Sequence, residues 1–157
     1  MAKDWLDQYQ NRLNSRRAEE QYQMSKDAEL TRKSPHTWAS IKEQVHSDVT
    51  RLHSISGARD VEYIQSPPDG FTLKRTAAYP TITLVVRFPD PHFIEFECKT
   101  KKSSDAIDEP PEHGLVTFKL DRDGNVLMFY RGERIEDEGD VSELFLGRFL
   151  PDLLSIR

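Results

Sequence analysis

TITLVVRFPDPHFIEFEC, residues 81–98, contains two runs in which apolar and polar side chains alternate. Alternation with a period of two is typical of a β-strand that buries one face. Pro89 ends the first run, and only a few residues separate it from the second. Because parallel strands need a crossover of about a dozen residues or more, so short a connection predicts an antiparallel pair.

The same alternation recurs on both sides of this pair. Further runs cover residues 61–64, 71–75, 115–120 and 126–131, and DRDG at 121–124 is typical of a tight hairpin turn. The short connections predict an antiparallel meander of five to six strands. The main apolar face of this sheet comprises Phe71, Leu73, Ile82, Leu84, Val86, Phe88, Ile94, Phe96, Val116, Phe118 and Leu120.

Helices are predicted at both ends of the chain, which makes the fold class α+β. Residues 1–33 predict an extended polar helix, and Ser34-Pro35 predicts the N-cap and first turn of a second one that Gly57 ends. A short C-terminal helix begins near Asp140. We therefore expect an N-terminal helix over 1–33 and a single α+β domain over 34–157. The apolar residues of the second and third helices are Trp38, Ile41, Val45, Val49, Leu52, Ile55, Leu146, Phe149, Leu150 and Leu153.

Composition narrows the classes of function. The chain has 157 residues and a net charge of −5, whereas nucleic-acid-binding proteins concentrate positive charge. Cys98 is the only cysteine, so no intrachain disulfide can form and a reducing compartment is expected. The N-terminus lacks the apolar run of a signal peptide, and no stretch approaches the ~20 apolar residues that span a bilayer. These features predict a cytoplasmic protein without a membrane partner.

No group of residues has the spacing of a catalytic, cofactor or metal site. His46 and His53 lie two helical turns apart, about 10.5 Å, which is too far to share one ion. Glu95 and Glu97 share one strand face, where charge pairing across strands is a better explanation than a catalytic pair. Cys98 belongs to the inward set, which disfavours a reactive thiolate. We predict no catalytic residue, no cofactor and no metal, and we leave enzymatic activity uncertain.

Two charged segments are predicted to be exposed to solvent. Residues 100–113 predict a surface loop, basic and then acidic, without the glycine-centred pattern of a calcium site. Arg12, Arg16 and Arg17 lie on the first helix among interleaved acidic residues, which is typical of a solvated helix. This mixing disfavours nucleic-acid binding through that helix.

An apolar set on the opposite face of the sheet is the strongest functional signal. Phe93, Leu115, Leu127 and Phe129, with Val85, form a patch that needs a cover, because large exposed apolar patches are uncommon on monomers. The apolar start of the first helix is the predicted cover, from the same chain or from a second copy, with intrachain packing favoured. Its residues are Trp5, Leu6, Tyr9 and Leu13.

Three functions follow, in order of preference. The first is a non-enzymatic protein-protein interaction or regulatory module that self-associates as a homodimer through these two surfaces. The alternative is a small-ligand-binding domain, enzymatic or not, with Tyr63, Tyr130 and Arg131 in a pocket between the sheet and the C-terminal helix. The third is nucleic-acid binding through the first helix.

Overall fold

The structure, a computed structural model, describes residues 4–55 and 60–150. A long helix α1 (Trp5–Leu52) precedes an antiparallel sheet and a short helix α2 (Glu138–Leu146), which a 3₁₀ turn (Gly147–Phe149) extends. The seven strands are β1 (Glu62–Ser66), β2 (Gly70–Arg75), β3 (Thr81–Asp90), β4 (Phe93–Lys101), β5 (Glu112–Leu120), β6 (Val126–Tyr130) and β7 (Glu133–Ile135). The predicted α+β class is confirmed.

The sheet is a meander in which every strand pairs with its neighbours in sequence. It has seven strands instead of the predicted five to six, because a short β7 follows β6. Arg131 and Gly132 connect these two strands with φ values of 51° and 79°. Positive φ at both central residues is the geometry of a two-residue type I′ hairpin. The three residues of β7 are too few to show alternation in the sequence.

The predicted pair of N-terminal helices is wrong, because α1 is one continuous helix of 48 residues. Ser34 and Pro35 lie inside it, and Leu30, Ser34 and Trp38 are all buried on one side. Proline inside a helix removes one hydrogen bond and crowds the preceding turn, at a cost of ~3 kcal/mol. Burial of apolar residues before and after Pro35 offsets this cost. The predicted stop at Gly57 and the C-terminal Leu153 lie outside the described residues.

The core lies between the inner face of the sheet and the two helices. The predicted main face is confirmed, with Phe88 and Leu120 half-buried and its other members buried. Trp38 stacks on Phe71 and Phe88 and donates its Nε1–H to Asp69 at 3.1 Å. The helical residues buried against this face are Leu30, Trp38, Ile41, Val45, Val49, Leu52, Val141, Phe145 and Leu146.

Strand pairing shortens the loop predicted over residues 100–113. β4 continues to Lys101 and β5 begins at Glu112, so ten residues connect them. Lys102 Nζ lies 3.3 Å from Glu109 Oε1 on this connection. The basic and acidic halves of the segment therefore face each other.

Candidate interaction surface

The first half of α1 extends beyond the body of the protein. We call residues 5–26 the arm; all of its residues are exposed except the half-buried Leu13 and Lys26. Trp5 is 70% exposed and Tyr9 59%, and Leu6 is exposed with them. The favoured intrachain packing of the arm on the sheet is therefore wrong, because these side chains face solvent.

The apolar residues of the arm lie on the same side of α1 as the residues buried in the core. Helical geometry repeats after 18 residues, or five turns. Trp5, Tyr9 and Leu13 each precede a core residue by 36 residues, about ten turns. Those core residues are Ile41, Val45 and Val49. The arm thus continues the buried stripe of α1 past the end of the sheet.

Polar contacts hold the base of the arm to two turns of the sheet. His92, on the β3–β4 turn, contacts Asp27 Oδ1 through Nε2 at 3.2 Å and Asp90 Oδ1 through Nδ1 at 2.6 Å. These two carboxylates raise the pKa of His92, Asp90 foremost. On the β5–β6 turn, Lys33 donates to the carbonyl oxygen of Gly124. The arm therefore leaves the body at the end of the sheet that carries these turns.

Lys33 also pairs with Glu29 one helical turn earlier. Its Nζ lies 2.9 Å from Glu29 Oε1, and this hydrogen bond lowers the pKa of the carboxyl group. The pair keeps the lysine directed at the β5–β6 turn.

The outer face of the sheet lacks a cover in the described part of the chain. None of the side chains on the outer face is fully buried, whereas most side chains that alternate with them on the inner face are buried. Phe93 and Phe129 flank Thr117 in the cross-strand register, and Leu115 is 47% exposed beside Glu95. Leu127 and Val85 are half-buried on the same face. Of the five predicted patch residues, Leu115 is therefore exposed and the other four are half-buried on this face.

Charged residues surround this patch. Glu95 lies opposite Leu115 on one neighbouring strand and opposite Arg87 on the other. Glu97 Oε1 lies 3.7 Å from Lys99 Nζ, a long contact on an exposed surface. The two glutamates thus form an acidic pair beside the exposed leucine.

Two arginines and one glutamate, Glu20, lie on the side of the arm that carries its apolar residues. Arg12 and Arg16 lie about 60° and 20° from Tyr9 around the helix axis. Arg16 Nε lies 3.3 Å from Glu20 Oε1, and both side chains are mostly exposed. Arg17 lies about 100° away from Arg16, so the three arginines do not share one face.

A groove of about 540 Å³ lies between α2 and the β6–β7 hairpin. Tyr130, one of the three residues predicted to line a pocket, lines this groove. Tyr63 lies elsewhere, with its ring 5.0 Å from those of Phe71 and His46, and its burial raises its pKa. Arg131 lies on the hairpin turn, 5.1 Å above the Tyr130 ring. The structure does not bring the three predicted pocket residues together.

The charged residues of the groove were not predicted as a site. Arg134 and Glu133 come from β7, and Arg148, Asp140 and Glu143 come from α2 and the turn after it. These side chains lie close together because of β7, whose three residues are too few to show alternation in the sequence. Only the tight Arg131-Gly132 connection gives a sequence signal for this hairpin.

Arg148 connects the groove to the core. Its guanidinium lies 5.1 Å from the Phe96 ring and donates to Glu112 at 3.0 and 3.2 Å. Cys98 is buried nearby, and burial raises the pKa of its thiol despite the attraction of Arg148. A protonated buried thiol is a poor nucleophile. These contacts attach the C-terminal turn to the sheet.

The described part of the chain contains neither a candidate metal site nor a candidate membrane span. Within residues 4–55 and 60–150, no cluster of three or more His, Cys, Asp or Glu side chains is arranged to bind an ion. No helix in the same ranges has the length and apolar content needed to cross a bilayer.

Comparison with protein-family models, curated proteins and solved structures finds no match to this chain.

Proposed function

We propose that this protein is a non-enzymatic protein-protein interaction module whose arm is the binding element. The observation that supports this proposal most directly is the exposed apolar stripe of the arm. Trp5 and Tyr9 continue the face that the rest of α1 buries, and both side chains are mostly exposed to solvent. Large aromatic side chains at a solvated helix end are typical of residues that another protein surface covers.

The open patch on the outer face of the sheet supports the same proposal. The arm and this sheet face both carry apolar side chains that no other part of the described residues covers. A partner that covers either surface removes apolar area from water, which is the main favourable contribution to most protein association. The fold provides the body that positions these two surfaces.

Site-specific photocrosslinking tests the proposal. A benzoylphenylalanine replaces Tyr9 in one variant and Tyr22 in a matched control, and each is expressed in the protein's own cells. Tyr22 is an exposed aromatic residue of the same arm, about 140° away around the helix. We expect a covalent protein adduct from position 9 in several-fold excess over position 22. Equal or absent adducts from both positions contradict the proposal.

Small-ligand binding in the α2 groove is a second candidate. The volume of about 540 Å³ lies in the range of ligand-binding pockets, roughly 300–1,000 Å³. Its lining carries two arginines and three acidic residues, a mixture that favours a small zwitterion. A thermal-shift screen of amino acids and carboxylic acids tests it, with Leu144→Trp as a variant that fills the groove. A ligand that stabilises the wild type and not this variant supports the candidate, and the absence of any such ligand contradicts it.

A further inference from the structure

We propose that the outer face of the sheet binds the arm of a second copy of this chain, so that two copies exchange arms reciprocally about a two-fold axis. This inference rests on the proposed function and specifies its partner.

The direction of the apolar stripe determines the orientation of the partner. On the body, the stripe of α1 faces the inner side of the sheet, and the arm keeps that direction beyond the end of the sheet. A surface that meets the arm must therefore face the way the inner face does. A second copy that is rotated by 180° about an axis in the plane of the sheet presents its outer face in this direction. The same rotation places its own arm on the outer face of the first copy, which gives a closed, isologous pair.

The arm is long enough to cover the patch. Its 22 residues span about 33 Å, so an arm that runs along the strands covers the whole length of β4, nine residues or about 30 Å. A contact strip about 10 Å wide along each arm buries roughly 1,300 Å² in total over both arms and both sheets. Stable specific interfaces bury roughly 1,200–2,000 Å², so two arms reach this range and a single arm does not.

Among the mixed charges beside the two apolar surfaces, two arginines of the arm and two glutamates of the sheet are opposite in sign and similar in spacing. Arg12 and Arg16 are one helical turn apart, about 6 Å along the arm. Glu95 and Glu97 are two residues apart on one strand face, about 6.5–7 Å. With Tyr9 against Leu115, the two arginines reach the two glutamates of the other copy. Opposite charges at an interface fix its register and exclude other partners.

A charge-reversal cycle in the full-length protein tests the exchange. The sheet variant is E95K/E97K, the arm variant is R12E/R16E, and the rescue variant carries all four changes. E43K/E136K is the matched control, since both glutamates are exposed, Glu43 lies on the solvent side of α1 and Glu136 lies between β7 and α2. Sedimentation equilibrium gives the dissociation constant of each dimer, and thermal melting verifies that each variant is folded.

We expect the wild type and the control to sediment at twice the 18.2 kDa chain mass. Each double reversal should raise the dimer Kd at least tenfold, and the rescue variant should return within about threefold of the wild type. A wild type that is monomeric at 100 µM overturns the inference, as do reversals without effect or a rescue variant that stays dissociated. A monomeric chain whose position 9 crosslinks to a different protein overturns the exchange and leaves the interaction function in place. Absence of both dimer and adduct overturns both.

Discussion

Gly114 shows how one missing side chain shapes the region beside the groove. A Cβ at this position would lie 2.2 Å from Cζ of Phe96. Phe96 is buried under Gly114 and contacts the Phe145 ring at 5.5 Å, so it has little room to move. We expect Gly114→Ala to lower the free energy of unfolding by about 1–3 kcal/mol, the usual cost of overpacking. Urea denaturation measures this change.

Gly147 is the matched control for that substitution. A Cβ there meets no atom within 4 Å, and the backbone is helical with φ of −56°. Gly147→Ala should leave the free energy of unfolding unchanged or raise it by about 0.4–1 kcal/mol, because alanine reduces the conformational entropy of the unfolded chain. Equal losses in both variants would show that the contact with Phe96 is not the cause.

His92 makes the attachment of the arm dependent on pH. Asp90 and Asp27 raise its pKa above the usual 6.5, so the folded protein binds this proton more tightly than the unfolded chain. The stabilisation is complete below pH 6.5 and is lost as the pH rises through the raised pKa. NMR titration of the ring should give a pKa above 6.5 in the wild type, and Asp27→Asn should lower it. A ring pKa at or below 6.5, or one that this substitution leaves unchanged, contradicts the contacts.

The elements of the fold differ in how far the sequence determines them. Period-two runs identify six strands because the outer face is solvated and the inner face is buried, which makes the alternation clear. β7 is too short to show a period, so the hairpin side of the groove was missed together with Arg134. Ser34-Pro35 has the chemistry of a helix start, yet burial of Leu30 and Trp38 outweighs that local signal.

Among the site residues, the apolar sets on the arm and the outer face follow from periodicity alone. Periodicity does not predict whether these apolar sets are exposed to solvent, because their exposure depends on whether the helix breaks at Pro35. A broken helix permits the arm to fold back onto its own sheet, whereas a continuous one carries it away. Continuity of the helix through Pro35 therefore keeps the arm away from its own sheet.

Pro35 also gives a stability test of the continuous helix. Inside a helix, proline costs ~3 kcal/mol relative to alanine, whereas in the first turn it costs nothing. We expect Pro35→Ala to raise the free energy of unfolding by about 1–3 kcal/mol, as measured by urea denaturation. Asp137→Ala is a comparison at a true N-cap, because Asp137 accepts from the backbone N–H of Asp140 at 2.9 Å. This change should cost about 1 kcal/mol. A loss of stability in Pro35→Ala would place a helix start there.

For the whole molecule, the two halves of α1 differ in what stabilises them. The second half is fixed by the core, while the arm has only its own backbone bonds and weak pairs such as Arg16–Glu20. Helices that lack tertiary packing are only weakly stable in water, so the proposed contact with the sheet of a second copy should add to the protection of the arm. The stability of the arm should therefore depend on protein concentration, and that of the body should not.

Hydrogen exchange measured at two concentrations separates these contributions. We expect the amides of residues 5–26 to exchange at least tenfold more slowly at 200 µM than at 1 µM. Those of residues 38–52 should show no change between the two concentrations while the body remains folded. In R12E/R16E the arm should exchange faster than in the wild type at 200 µM, because the reversed charges weaken its binding to the second sheet. Protection of the wild-type arm that is equal at both concentrations, and equal to that in R12E/R16E, would show that the arm is stable on its own. The exposed Trp5 and Tyr9 would then need an explanation other than exchange between copies.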